Sequence, residues 1–251
     1  MTNDQQGAGV ETPGPQVGDR HPLALVLFAL TAVSGFVDAV TFLGLGRVFA
    51  ANMTGNVVVI GFAAAGAPGF SVVGSLVSLG AFLVGAAGAG RLARALRGRR
   101  RATWVRAALA GEAVLLGVTT ALAFAGAADA TYALIALLAL AMGLRNGTVL
   151  KLNVPDLTTT VLTRTLTGLA AESRLAGGTD RLAVRRVGAT LAMIAGALPG
   201  AWLVLRHGIG WPLLVGTAAV TVVACVYRER PGVTPEGTGG PPRKHDFRTD
   251  S

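Results

Sequence analysis

Six apolar blocks of roughly twenty residues each, at 23–45, 70–92, 105–126, 131–151, 187–205 and 211–227, follow one another along the chain with arginine clusters between them. A helix rises about 1.5 Å per residue and bilayer hydrocarbon is about 30 Å thick, so such blocks have the length of membrane-crossing helices. Little chain remains outside them. Only 14% of the 251 residues are Asp, Glu, Lys or Arg and 52% are hydrophobic, whereas ordinary soluble domains carry about 25% charge. The expected fold is all-α, a polytopic membrane helix bundle without a separate soluble catalytic domain. A net charge of +9 on one soluble face would suggest nucleic acid. Spread between apolar blocks it reads as a topology signal and as contact with anionic lipid. The one cysteine, Cys225, lies inside the last block and excludes an internal disulfide and a cysteine metal cluster.

Residues 1–22 and 229–251 are polar and rich in Gly and Pro, and read as disordered tails around a membrane domain at 23–228, with halves at 23–126 and 131–228. The N-terminal tail lacks the basic opening of a secretory signal. Two shorter segments, 49–66 and 157–170, are polar for a span: one opens on Asn52-Met53-Thr54-Gly55-Asn56, and the other is rich in threonine and holds Arg164. Positive charge decides how they are counted, because Lys and Arg concentrate on the cytoplasmic side. If neither segment crosses and the N-terminus is inside, the cytoplasmic face receives Arg20, seven arginines from Arg91 to Arg106, six basic residues from Lys151 to Arg186 and five from Arg228 to Arg248. That is 19 of the 22. If both cross, the basic residues divide about evenly, with no bias of the kind the rule describes. The expectation is six spans plus two re-entrant half-helices, with both termini cytoplasmic. Trp104, Tyr132, Trp211 and Tyr227 at block ends suit an interfacial aromatic belt.

The two short segments also hold equivalent places. Aligning Gly35 with Gly143 sets Asp38 on Asn146 and, after a one-residue gap, Thr54 on Thr163 and Asn56 on Thr165. With an odd number of crossings in each half, the second half is inverted relative to the first. Inverted halves with interrupted helices are a signature of transport proteins, whose sites lie near the midplane. Asn52 to Asn56 would open one half-helix. Pro155 and Asp156 would open the other, Pro at a first-turn position and Asp complementing the helix dipole.

Four stretches stand out: Ser34-Gly35-Phe36-Val37-Asp38-Ala39-Val40, then Asn52-Met53-Thr54-Gly55-Asn56 and, in the second half, Met142-Gly143-Leu144-Arg145-Asn146 and Val154-Pro155-Asp156-Leu157-Thr158-Thr159-Thr160. Over about residues 23–228 the chain resembles the YoaK-like family of bacterial inner-membrane proteins, labelled a domain of unknown function. The resemblance implies a polytopic membrane protein and supplies no substrate and no catalytic residue. Many members carry a Thr-Gly pair in the second half; here the corresponding pair is Thr163-Arg164.

Asp38, deep in the first span, is costly there unless it faces the bundle interior. It reads as a solute or proton site, or as the buried partner of Arg145, the contact preferred here. Glu112 reads as a proton relay or, as preferred here, an acid that snorkels or pairs with Arg106. Asn52, Thr54 and Asn56 could line a pathway or cap and bind helices; with Asp38, Arg145 and Asn146 they form the expected substrate pathway, and Glu112, Asp156 and Thr163 are secondary candidates. The GxxxG spacings at 143–147 and 196–200 mark close helix packing, and Pro199 should kink the fifth span. The three histidines lie in tails and an end loop, so neither a metal site nor a nucleophile triad is expected, and no cofactor. The run from Arg97 to Arg101 fits a cytoplasmic loop better than nucleic acid. The expected function is passage of an unknown small solute by a non-enzymatic transporter or channel. The expected partners are the lipid bilayer and that solute, with no nucleic acid, and a homo-oligomer is compatible. The alternatives are a structural or regulatory membrane protein and, behind it, an intramembrane enzyme.

Overall fold

The computed structural model describes residues 22–99, 101–126, 130–152, 162–173, 177 and 183–226. The described residues form eight helices and no strand: α1 (Pro22–Gly44), α2 (Met53–Ala64), α3 (Val72–Ala95), α4 (Arg101–Phe124), α5 (Thr131–Leu152), α6 (Leu162–Ala171), α7 (Ala183–His207) and α8 (Gly210–Val226). Five of them, α1, α3, α4, α5 and α7, are long and apolar enough to cross a membrane. The block expected as a sixth full-length span forms α8, which is described as far as Val226 and rises about 26 Å over those 17 residues. Pro22, expected as the last residue of the N-terminal tail, opens α1, while residues 1–21, Tyr227 and the C-terminal tail lie outside the described residues.

Local sequence explains where the helices stop. The end of α1 closes through Leu45 N–H on Thr41 O (2.9 Å) and Arg47 N–H on Phe42 O (3.1 Å). Gly46 and Arg47 then turn the chain at φ 86° and 60°, a region natural to glycine and rare for arginine. Asn52 caps α2 and Ser71 caps α3, each accepting from the N–H three residues on. Gly66, at φ 84°, ends α2. The helix α7 runs unbroken through Pro199, which leaves the Ala195 carbonyl without its usual partner.

Side-chain neighbours give the helix directions. One apolar cluster joins the N-terminal parts of α1 (Leu27, Leu30) and α4 (Val105, Leu109) to the C-terminal ends of α5 (Val149, Leu152) and α8 (Val223, Ala224). A larger one joins the C-terminal half of α1 (Val37, Val40), the 45–51 connection and the distal part of α4 (Leu116, Leu122) to the N-terminal halves of α5 (Leu134, Leu138) and α8 (Leu213), and to Val204 near the end of α7. Thus α1, α4 and α7 run one way and α3, α5 and α8 the other. The segment holding α2 leaves and rejoins the bundle at one end, and the segment holding α6 does so at the opposite end.

The helix pairing maps onto itself when α1–α4 are exchanged with α5–α8. The most extensive contacts are α3 on α5 and α1 on α7; α2 packs on α3 as α6 does on α7, and α4 on α5 as α8 does on α1. Glycines make the two main seams close. A methyl group on Gly35 would overlap the Met193 carbonyl, and one on Gly143 the Phe82 carbonyl; likewise Gly196 faces the Ala32 carbonyl and Gly85 that of Leu140. Gly35 and Gly143 are 108 positions apart, as are Ala32 and Leu140, while Phe82 and Met193 are 111 apart, as are Gly85 and Gly196. Both seams therefore use the same contacts in the same register. This is the close approach that small residues permit between membrane helices.

Candidate functional site

A cavity of about 530 Å³ lies between α1, the chain entering α2, α2 itself, Phe70, the start of α6 and α7. Asp38 and Phe42 reach it from α1, Asn52 and Thr54 from the α2 entry, Thr163 from α6 and Met193 from α7. Thr54 and Thr163, paired by the alignment of the two halves, thus meet at one space. Asn52 caps α2 through its Oδ1, 3.3 Å from the Gly55 N–H, and is itself exposed, as is Thr54.

Asp38 sits in the C-terminal third of α1, and its partner is irregular backbone. Its Oδ1 accepts from Ala50 N–H at 3.0 Å and Ala51 N–H at 2.7 Å. A segment before a short helix has donors that no helix or sheet supplies with acceptors, and a buried carboxylate is a strong acceptor for them. The second oxygen, Oδ2, is buried without a hydrogen-bond partner.

Asn56 lies away from the cavity and binds the same connection from the other side. Its Oδ1 accepts from Phe49 N–H (2.9 Å) and its Nδ2 donates to Phe49 O (2.7 Å) and to Ser78 Oγ (3.1 Å). Ser78 Oγ also donates to Phe49 O, at 2.6 Å. Asn56 and Ser78 are both fully buried, so α2, its entry and α3 are clamped by side-chain hydrogen bonds. Ser78 escaped the sequence reading because a lone serine in an apolar helix carries no signal of its partner.

Arg145 does not contact Asp38. It forms a buried ion pair with Glu112 of α4, and its Nη1 donates to Leu30 O at 3.0 Å and Ser34 Oγ at 3.1 Å. The reason is axial: Leu30, Ser34 and Asp38 lie one turn apart on α1, and Arg145 meets the first two levels. Asp38 stands about 6 Å further along the helix. Glu112, expected to snorkel or to pair with Arg106, is fully buried beside Arg145. Asn146 is half-buried on α5 and is not among the residues lining the cavity. Asp156, with Pro155, lies outside the described residues.

Four phenyl rings also line the cavity. Phe42 stacks on Phe49 with centroids 4.7 Å apart, and Phe62 meets Phe70 edge-on at 5.7 Å. Arg47 places its guanidinium carbon 5.3 Å from the Phe70 centroid. Among the described residues no group of three or more His, Cys, Asp or Glu could hold a metal ion.

Residues 26–226 match the family described as "Protein of unknown function (DUF1275)". A similar protein is the UPF0700 transmembrane protein YoaK of Bacillus subtilis (strain 168), 38% identical over 149 residues, covering 58% of this chain and 64% of the relative. The match thus spans a little under two thirds of the relative's length. No solved structure matches the chain. The matched region takes in all eight helices but for the first residues of α1, the five that could cross a membrane among them, and the chain is a multi-pass membrane protein belonging to the DUF1275 family.

Proposed function

We propose that this protein passes a small solute across the bacterial inner membrane, as a transporter or channel and not as an enzyme. In this reading six helices (α1, α3, α4, α5, α7 and α8) cross, α2 and α6 are re-entrant half-helices, and the two halves are inverted repeats with both termini cytoplasmic. The helix directions support it, since α2 and α6 each return to the end of the bundle they left. The arginines from Arg91 to Arg106 then gather at the end where α3 closes and α4 begins, while Arg47 and Arg206 fall at the other. Irregular backbone at membrane depth is tolerated where it is buried in protein or lines a water-filled cavity.

The observation that carries the proposal is the meeting of Thr54 and Thr163, near the starts of both short helices, at the one cavity that Asp38 also lines. The test is solute flux in proteoliposomes, read by stopped-flow light scattering with a panel of small neutral and charged organic solutes. At least one solute should cross faster than in protein-free vesicles, and Thr54→Phe, which puts a phenyl ring into the cavity between the two short helices, should remove the excess. Flux equal to that of empty vesicles for every solute would count against it. A second reading, a scaffold whose polar groups only lock helices together, draws on Asn56 and Arg145, which bond within the protein. It expects Thr54→Phe to change stability alone.

A further inference from the structure

Donors and acceptors around the cavity are unevenly used. Four N–H groups around the start of α2 are already taken by side-chain acceptors: Phe49 by Asn56, Ala50 and Ala51 by Asp38, Gly55 by Asn52. On the acceptor side, Asp38 is 5% exposed and its Oδ2 has no donor. Among the described residues it is also the only ionisable side chain lining the cavity. Around it stand the stacked Phe42–Phe49 pair and the Phe62–Phe70 pair. The face of a phenyl ring attracts cations, and Arg47 already sits over Phe70 in this way. That guanidinium occupies one ring of the set, and the Phe42–Phe49 pair lines the same cavity as Asp38.

We infer that the cavity selects a small organic cation, a protonated or quaternary amine, whose charge is directed at the Asp38 carboxylate and whose apolar substituents rest on Phe42, Phe49 and Met193. The inference rests on the reading of this cavity as a solute site and adds the solute's chemical class. The cavity's size, about 530 Å³, falls within the roughly 300–1,000 Å³ of pockets that take small molecules.

The test uses the full chain in lipid nanodiscs, titrated calorimetrically with three probes of matched shape: choline as the cation, 3,3-dimethyl-1-butanol as the neutral isostere and 3,3-dimethylbutyrate as the anion. Choline should bind at least roughly tenfold more tightly than the neutral probe. Asp38→Asn should remove that preference, and Phe42→Leu should weaken choline alone; if Asp38→Asn fails to fold, Phe42→Leu carries the test. Equal binding of the three probes, preference for the anion, or no binding of choline overturns the inference. Where the neutral or anionic probe is preferred and Thr54→Phe abolishes its binding, the cavity remains a solute site and only the cation class falls. Where binding is indifferent to Thr54→Phe, the cavity is not the site and the pathway reading falls with it.

Discussion

In the α1–α7 seam Gly35 and Gly196 admit carbonyls of the facing helix, and in the α3–α5 seam Gly143 and Gly85 do the same at matching positions. Three residues past the first glycine of each pair the halves diverge. The first half has Asp38, whose carboxylate anchors Ala50 and Ala51 beside the cavity. The second has Asn146 at that place, with Arg145 before it, and Arg145 turns to Glu112 and to α1. Backbone packing is thus shared, whereas buried polar chemistry is particular to each half. Shared contacts build the fold, and the unshared acid faces the cavity.

The largest expected effect lies in the second half. Arg145→Ala leaves Glu112 buried and unpaired, a change that costs about 3–5 kcal/mol where a buried pair is broken. Folded yield by size-exclusion chromatography should collapse, and replacing both partners, Glu112→Leu with Arg145→Met, should restore much of it. Next come the seams. Gly85→Ala and Gly196→Ala should each cost about 3 kcal/mol, because the added methyl meets backbone that cannot rotate away. Their thermal midpoints should fall by similar amounts if the seams are equivalent, while Gly80→Ala, which meets open space, should leave the midpoint unchanged. Unequal losses would break the comparison.

Smaller still is the clamp on the α2 entry. Asn56→Ala strips Phe49 of a donor and an acceptor at a buried site, at about 2 kcal/mol, visible as a lower thermal midpoint. Asp38→Asn should have the least effect on stability, about 1 kcal/mol or less, since the amide oxygen still accepts from Ala50 and Ala51. Its effect on flux should nonetheless be large. A variant that loses flux while keeping its midpoint separates the cavity acid from the structural ion pair.

The long apolar helices were legible in the chain because apolar length is a property of consecutive residues. The short helices announced themselves through Asn52, Thr54 and Asn56 and through the threonines around Thr163, which no lipid-facing span would carry. The equivalence of Gly35 and Gly143 was also legible, because close packing demands glycine wherever it occurs. The partners of Arg145 were not. Whether it meets Asp38 or Glu112 depends on an axial offset of one turn between α1 and α5, and on how α4 is rotated. Neither is written in a linear sequence. The different duties of Asn52, Thr54 and Asn56 follow likewise from the turn that α2 makes after residue 52, which sends Asn56 toward Ser78 and leaves Thr54 at the cavity.

The most direct test of a shared cavity between the short helices is cross-linking of Thr54→Cys to Thr163→Cys in a Cys225→Ser background, in native membranes with a short bismaleimide. The expected result is an intramolecular cross-link that appears only in the double variant and is read by mass spectrometry. No cross-link, with each cysteine still labelled by a monofunctional maleimide, would mean that the two helix starts do not face one space and would contradict the proposed pathway.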